Sequence, residues 1–505
     1  MSDNSQLIVA ALLATDPKLA TAVDAENSFK EWIILNGART LKFREYERGD
    51  HEAELTDQMK EILRLRADDA QLNELADNYC KIIVDKMVGR LDVIGIKTDT
   101  DPGDEWVADL MEQNSFKALQ GTTYRASVRE GDSYILVDPQ TLSWTSEPAY
   151  DSFSGMTVLF DGNNDPVWAC KLWNESDFSL SEEEDGESFA AGMKVVVYQK
   201  DRITFWKGTV GGGELEEDFN QEKEHELPWP IDRIPIIHFV NQADNYTSYG
   251  ESELRPAFPL QNILNRTLHS MLATSEFTGF PIKYSIGLEL NVEGIVPGAV
   301  LNMFLKDKEG NRIVEPTEEQ VALIEAARVG QFETADMSQF IVQVEQLVQE
   351  ISQTTQTPIY GINVSGDISG EALKQLEIGL LGKIERFQRE NTDAWKNLIT
   401  LTAEMHKGFN RKVALDIGSP PAISSVQITW KSPELRNHLQ EIASLIKERA
   451  DAPNLFSEDY YRRKIGELRG LLEEEIEQEG KDALSRRASL LESFTSDTGG
   501  AIPGV

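Results

Sequence analysis

A single amphipathic run from Ser369 to Phe409 constrains the fold more than any other part of the chain. It contains no proline, and its apolar residues recur mostly every three or four positions, which is typical of a helix with one packed face. Ser369 is a favoured N-cap residue, and Glu371 places a carboxylate in the first turn, where the helix dipole stabilises it. A helix of roughly forty residues is longer than most globular helices and predicts a large, layered or ring-forming architecture. The apolar positions are Leu373, Leu376, Leu380, Leu381, Ile384, Phe387, Trp395, Leu398, Leu401 and Met405.

A second helical run, Asp336–Gln353, precedes this one, and the glycine-rich stretch Thr357–Gly370 separates them. The pattern therefore predicts a helix–loop–helix unit. Downstream, the sequence predicts a strand at Ser425–Trp430, helices at Pro433–Arg449 and Ser457–Glu479, and a disordered tail over 492–505.

The N-terminal half divides into a helical part and a strand-rich part. Short β-branched or aromatic runs between turn residues indicate a β-rich module over Tyr124–Asn241, in which Val210–Glu226 is expected to be a loop. Helix returns over 251–278, with its regular part beginning near Pro259. Residues 279–330 are mixed and include a helix at Thr317–Ala327, which opens with a capping box. The helices expected before the β-rich module are Glu26–Leu41, Leu55–Leu65, Leu72–Leu91 and 104–120.

Composition limits the function. The chain has 505 residues and a net charge of −37, from 86 acidic and 49 basic residues. A conventional nucleic-acid-binding protein needs a basic surface to neutralise phosphates, so this charge argues against one. The charge indicates either a highly soluble acidic protein or a surface past which DNA slides without adhering.

No run has the length of a membrane span, and the N-terminus lacks the basic region of a signal peptide. Cys80 and Cys170 lie in apolar contexts and are expected to be buried free thiols of a protein in a reducing cytoplasm.

The sequence contains no motif for catalysis. It has no phosphate-binding P-loop, HExxH, paired CxxC or GxSxG, and its six histidines are not at metal-binding spacing. Gly211–Gly213 is followed by no Lys-Ser and no helix, and the acidic run Glu182–Glu187 lacks the spaced ligands of a metal loop. We therefore expect no catalytic residue, no metal and no cofactor.

Three segments resemble, in order, the portal proteins of tailed bacteriophages. The first, Ala76–Ile96, is similar to an early "N…IVD…RL…G" helix and turn of that family. The second, Tyr249–Tyr284, contains the family's Gly and acidic residue before a helix, followed by "PLQ" and "LN". The third is SGEALK, Ser369–Lys374, at the start of the long helix. The matching positions of the second segment are Gly250, Glu253, Pro259, Leu260, Gln261, Leu264, Asn265, Glu276 and Pro281.

The resemblance implies an α+β portal fold with long stem and spine helices. Its parts would be a flexible arm (1–24), a wing (25–250, β-rich over about 124–241), a stem helix (251–278), a mixed clip insertion (279–334), a second stem helix (335–356), a channel loop (357–370), a spine helix and strand (371–431), a helical crown (432–491) and a disordered tail (492–505).

The implied function is that of a portal subunit. Such subunits form a ring of about twelve copies at one capsid vertex, a conduit for DNA packaging and ejection. The implied partners are copies of the chain itself, double-stranded DNA passing non-specifically, the terminase large subunit, head-completion or adaptor proteins, and the major capsid and scaffolding proteins. The protein would reside in the virion, and in the host cytoplasm during assembly.

The resemblance also assigns residues. The channel loop would contact DNA through Tyr360, Asn363, Ser365 and Asp367, and its lack of Lys and Arg leaves steric or uncharged contacts. The cations of the clip, where terminase and head-completion proteins dock in this family, would be Lys283, Lys306, Lys308, Arg312 and Arg328.

Two other classes remain open on the residues alone. One is an acidic α+β scaffold or binding protein without a DNA channel. The other is an enzyme whose site is assembled from scattered acids around a divalent metal. Ring formation would favour the portal, and stabilisation by metal would favour the enzyme.

Overall fold

The computed structural model describes residues 23–50, 76–138, 141–161, 164–174, 192–200, 202–211, 214–215, 220–225, 233–243, 247–279, 283–286, 317–319, 321–322, 328–331, 336–359, 370–409, 423–433, 445–449, 460–461 and 463–465. The chain divides into two compact units, Met1–Lys431 and Ser432–Val505. The second unit is described only by short segments, of which 445–449, 460–461 and 463–465 are helical.

The described residues of the N-terminal part of the first unit form four helices and one strand. They are α1 (Val23–Arg48), α2 (Tyr79–Val88), β1 (Val93–Thr98), α3 (Asp101–Gln113) and α4 (Phe116–Glu130). Asn78 caps α2 by accepting a hydrogen bond from the Lys81 amide, so the helix begins there, later than the predicted Leu72. Asp104 and Pro102 occupy the first turn of α3, where an acidic residue and a proline are favoured.

Two antiparallel sheets follow. The strands are β2 (Asp132–Val137), β3 (Trp144–Pro148), β4 (Gly155–Phe160), β5 (Pro166–Asn174), β6 (Gly192–Gln199), β7 (Ile203–Gly211), β8 (Glu214–Leu215), β9 (Asn220–His225) and β10 (Ile236–Val240). The smaller sheet has the order β10-β2-β3, and the larger is the meander β4-β5-β6-β7, with β8 and β9 both paired to β7. All six residues of β2 are buried. Ile135 and Val137 belong to one hydrophobic cluster, together with residues of α4, whereas Tyr134 and Leu136 belong to a second cluster, together with residues of the larger sheet.

The remaining elements are α5 (Phe258–Gly279), β11 (Lys283–Ile286), β12 (Arg328–Gln331), α6 (Ser338–Thr354), α7 (Gly370–Phe409) and β13 (Val426–Trp430). Helix α7 is the long helix predicted from the sequence. Strands β11 and β12 form an antiparallel pair, and β13 pairs with β1 from the opposite end of the chain. The architecture is a mixture of helix and sheet, as the α+β prediction requires.

Three further predictions are wrong. The helix expected over 104–120 is two helices, α3 and α4, which break at Ser115, where the backbone has a φ of 47°. Helix α4 then runs to Glu130, so the strand-rich part begins at Asp132 rather than at Tyr124. Tyr124 and Val128 fall within the predicted β-rich module, but they lie on the buried face of α4. The expected loop over Val210–Glu226 contains β8 and β9.

Other predictions lie outside the described residues. They include the helix at Leu55–Leu65, the acidic loop Glu182–Glu187, the terminal arm and tail, and most of the helix pair after Pro433. Of the helix predicted over Thr317–Ala327, the described residues 318–319 and 321–322 are helical. Among the described residues, no helix has the length and apolar character needed to cross a membrane.

Helix α7 is the centre of the larger core. Trp395 is fully buried, and its indole stacks edge-on against Phe116 and Phe239. Its Nε1 donates to the Tyr124 hydroxyl at 3.0 Å, and that hydroxyl lies 3.2 Å from the Gln120 side-chain oxygen. This chain of polar contacts satisfies groups that would be costly to bury alone.

Asn391 attaches α7 to the edge of the smaller sheet. Its Oδ1 accepts from the Val240 amide at 3.0 Å, and its Nδ2 donates to the Val240 carbonyl at 2.8 Å. The side chain thus makes the two bonds that a neighbouring strand would make to β10, an edge strand. It therefore closes that edge at Val240 and fixes where the helix lies along it.

We predict that Asn391→Ala destabilises the first unit by about 2–3 kcal/mol, because both backbone groups of Val240 lose their partner. Asn397→Ala is the matched control, since Asn397 is exposed on the same helix and its loss should change stability by less than about 0.5 kcal/mol. Chemical denaturation followed by circular dichroism measures both, and hydrogen exchange at the Val240 amide should accelerate only in Asn391→Ala. Equal effects of the two substitutions would contradict the edge contact.

Candidate functional site: the junction of α5, α6 and α7

Lys383 joins three parts of the chain at one point. It is buried on α7, and its ammonium forms an ion pair with Glu253, in the segment that leads into α5. The same ammonium donates to the Thr355 carbonyl at 2.6 Å. Thr355 is the C-cap residue of α6, so this lysine links α6, α7 and the approach to α5.

Neighbouring side chains donate hydrogen bonds to the Glu253 carboxylate oxygen that does not contact Lys383. Glu253 Oε1 accepts from Gln242 Nε2 at 2.6 Å and from Asn241 Nδ2 at 3.2 Å, and Arg386 lies 4.0 Å away. A buried ion pair is tolerated only when hydrogen bonds of this kind complete its coordination. The lysine also lies at the negative end of the α6 dipole, where a cation is favoured.

The chain leaves α6 in a defined conformation. Gln356 has a φ of 50°, in the left-handed region, and lies directly over Gly379 of α7. A Cβ at Gly379 would lie only 3.0 Å from the Gln356 Cβ, so glycine permits this approach. Two hydrogen bonds then hold Thr357. Its amide donates to the Ser352 carbonyl, and the Ser352 hydroxyl donates to the Thr357 carbonyl. The start of the segment 357–370 is therefore fixed on the last turn of α6.

Two residues of the Tyr249–Tyr284 motif, Gly250 and Gln261, have structural roles. A Cβ at Gly250 would lie 2.3 Å from the Gly131 carbonyl oxygen, so two backbone segments meet where no side chain fits. Gln261 is fully buried and bonds to the Tyr79 amide at 3.0 Å, the Asp77 carbonyl at 2.6 Å and the Asn265 side chain at 3.2 Å. These contacts join the first half of α5 to the N-terminus of α2.

Most of the channel-loop and clip residues that the sequence proposes lie outside the described residues, so the structure does not show whether they lie close together. Tyr360, Asn363, Ser365 and Asp367 lie outside the described residues, as do Lys306, Lys308 and Arg312. Of the clip cations, only the backbones of Lys283 and Arg328 are described, at the two ends of the β11–β12 pair. Their registered partners are Gln331 and Ile286, respectively. The DNA-loop and clip assignments therefore stay predictions.

Sequence reasoning missed Lys383 and Asn391. A signal for both was present, because each polar residue falls on the apolar face of α7, among Leu380, Ile384 and Phe387. A second missed contact is the bidentate pair between Arg90 and Glu377, at 2.8 and 3.3 Å. This ion pair attaches the start of α7 to the turn after α2, and no local sequence pattern predicts it.

A second group of buried charges lies between α1, α4 and the turn before β4. Arg44 Nε donates to Glu130 Oε1 at 2.7 Å, Arg129 donates to the same oxygen at 2.5 Å, and Arg44 also pairs with Asp151. The other Glu130 oxygen accepts from the Ala149 amide at 2.9 Å. Each charge is engaged in structure, which distinguishes the group from a catalytic pair held apart in a cleft. The adjoining cavity has a volume of about 50 Å³, too small for an ordinary substrate.

The environment of the two cysteines confirms the prediction of buried free thiols. Both thiols are free and buried, and burial raises the pKa of Cys80 to about 12 and that of Cys170 further. His238 Nε2 lies 2.7 Å from Asp132 and stacks on Tyr134. Within the described part of the chain, no group of three or more potential ligands could hold a metal ion.

Comparison with known proteins gives one extensive match. The family model described as "Phage portal protein, SPP1 Gp6-like" matches residues 41–478. The curated proteins give no match.

Among solved structures, similar chains come from gene transfer agent particles. One is from the neck of an empty particle computed with C6 symmetry, with 14% identity and a TM-score of 0.39, covering 81% of this chain and 94% of that one. A second is from the native virion, with 11% identity and a TM-score of 0.37, covering 84% and 99%. A third is from the native neck computed with C12 symmetry, with 14% identity and a TM-score of 0.38, covering 81% and 93%. At this level the likenesses add nothing to the family match.

We predict that Lys383→Met destabilises the protein by about 3–5 kcal/mol, because it leaves the Glu253 carboxylate buried without its main cation. The double variant Lys383→Met/Glu253→Gln should recover much of that loss, since no unpaired charge remains. Lys396→Met is the control. Its partner Asp393 is 78% exposed, so its loss should cost less than about 1 kcal/mol. Urea denaturation of the four proteins measures the differences. A double variant no more stable than Lys383→Met would contradict the ion-pair account.

Two glycines of α7 provide a second test. Gly382→Ala should stabilise the protein by up to about 1 kcal/mol, because its Cβ would meet nothing within 4 Å and alanine favours helix. Gly379→Ala gains the same propensity but pushes against Gln356, so it should be less stable than Gly382→Ala. Thermal unfolding compares the two, and hydrogen exchange near Thr357 should rise only in Gly379→Ala. Equal stabilisation by both substitutions would contradict a tight approach of Gln356 to Gly379, because it would show that Gln356 moves aside at no cost.

Proposed function

The chain belongs to the SPP1 Gp6-like family of phage portal proteins, and we propose that it forms a ring at one capsid vertex through which DNA is packaged and ejected. The single observation that carries this proposal is the family match over residues 41–478, which covers most of the 505 residues. Proteins of this family have a structural role. We therefore propose that the energy for DNA movement comes from a separate motor, the terminase.

We propose that α5 and α6 are the two stem helices and α7 the spine helix. The support is their order and length: α5 has 22 residues, α6 has 17 and α7 has 40. The segment 279–334, between the stem helices, would be the clip, and residues 432–491 the crown. Residues 25–250, with their helices and antiparallel sheets, would be the wing.

We further propose that residues 357–370 form the loop that projects into the channel. Its start is held by Lys383, Gln356 and Ser352 (above), so the loop would move on a fixed base rather than on a flexible one. Tyr360, Asn363, Ser365 and Asp367 would be the residues nearest the DNA. None of them is a cation, so contact with phosphate would be weak and readily exchanged.

The clip would be the docking surface. Lys283, Lys306, Lys308, Arg312 and Arg328 are the cations of that segment, and in an acidic chain they would give it a local charge unlike the rest of the surface. We propose the terminase large subunit and the head-completion or adaptor proteins as its partners. Major capsid and scaffolding proteins would contact the ring during assembly, which places the protein in the virion.

We expect the purified full-length chain to assemble into rings with a central hole, of about twelve or thirteen subunits, because closed cyclic symmetry follows from one repeated head-to-tail interface. Negative-stain electron microscopy and native mass measurement together test this. Particles that stay monomeric or dimeric at high concentration, in both low and high salt, would contradict the ring and favour a scaffold or binding protein. Thermal unfolding with and without divalent cations is the control for a metal-dependent enzyme.

A further inference from the structure

Helix α6 presents an unusual exposed face of glutamines. All five glutamines of the helix are exposed, and at 100° per residue they fall within about 120° of its circumference. We call this surface the glutamine face; its members are Gln339, Gln343, Gln346, Gln349 and Gln353. The buried residues of α6, Leu347, Val348 and Ile351, lie on roughly the opposite side.

The glutamine face carries almost no charge. Its one carboxylate, Glu350, is half-buried and accepts a hydrogen bond from Gln346 Nε2 at 3.0 Å. Residues 329–373 contain no Lys, Arg or His, although the chain has 49 Lys and Arg residues and 6 His in all. The cation-free stretch therefore includes the whole of α6 and the segment 357–370 that follows it.

We propose that the glutamine face is the surface of α6 along which double-stranded DNA moves. This inference rests on the proposed channel and adds which face of the helix lines it. Glutamine side chains donate hydrogen bonds to phosphate oxygens without releasing counterions. Contacts of that kind are weak and exchange with water, so they orient a moving polyanion without retaining it. A lysine at the same place would hold the phosphate, and an exposed carboxylate would repel it.

The chemistry of the face favours DNA over a second copy of the chain. The centre of an interface between proteins is enriched in aromatic and apolar side chains. The glutamine face offers only Val342 of that kind, whereas the packed side of α6 is apolar. An amide surface with one half-buried carboxylate and no cation is instead suited to a polyanion that must not adhere.

Two cations introduced on the glutamine face provide the test. In assembled rings of Gln343→Lys/Gln353→Lys, we expect affinity for double-stranded DNA at low salt to rise at least tenfold over the parent. The slope of the logarithm of the binding constant against the logarithm of salt concentration should become more negative by about 2 or more. The matched control, Gln113→Lys/Asn397→Lys, adds the same charge at exposed amides of α3 and α7. It should leave both quantities close to those of the parent.

A labelling experiment gives an independent readout. Both native cysteines are buried, so Gln349→Cys supplies an accessible thiol at the glutamine face. Double-stranded DNA should slow its reaction with a small maleimide in assembled rings, and should not slow the reaction of Asn397→Cys.

The outcomes separate the two proposals. The assignment of the glutamine face would be overturned, and the ring proposal left intact, by either of two results. One is equal DNA binding by rings of Gln343→Lys/Gln353→Lys and of the control variant, and the other is equal labelling of Gln349→Cys with and without DNA. Loss of rings in Gln343→Lys/Gln353→Lys but not in the control would show that the face contacts a neighbouring subunit instead, which also overturns it. Absence of rings in the parent protein would count against the portal proposal itself.

Discussion

The docking of α7 against the rest of the first unit depends on polar groups placed within its apolar face. A purely apolar stripe would bury the helix but would let it slide or rotate at small cost, since hydrophobic burial is not directional. Lys383, Asn391 and Trp395 remove that freedom. Each has a particular partner, Glu253, the Val240 backbone and the Tyr124 hydroxyl, and each partner belongs to a different element. The helix is thereby fixed in register as well as buried.

This arrangement explains why the motif before α5 takes the form that it does. Gly250 admits the backbone of Gly131 where no side chain fits, and Glu253 then meets Lys383. The same lysine holds the last turn of α6 through Thr355. A motif through which the sequence resembles the family is therefore a packing device, and it positions the proposed stem helices and the residues that directly follow α6.

Charge has two roles in this chain. Within the fold, ionised side chains are paired and partly or fully buried, as around Glu130 and at Glu253. On the glutamine face the opposite holds, because charge is almost absent in a chain whose net charge is −37. If that face lines the proposed channel, the acidic surface would repel DNA from elsewhere and the amide surface would guide it. Strong binding would then be a defect, because each retained phosphate contact would have to be broken for movement to continue.

The sequence alone determined the long helix, the helix before it, most strands of the larger sheet and the family, because these follow from local periodicity and short ordered motifs. It misplaced the end of α4, since Tyr124 and Val128 have strand-forming types but pack as a helical face. It also missed β8, β9 and the pairing of β1 with β13, whose partners are set by contacts distant in the chain. Only the tertiary structure decided that Lys383 of α7 would join the end of α6 to the segment before α5, because an ion pair depends on which parts of the chain meet. The local sequence records a polar residue on an apolar face, but not the partner that satisfies it.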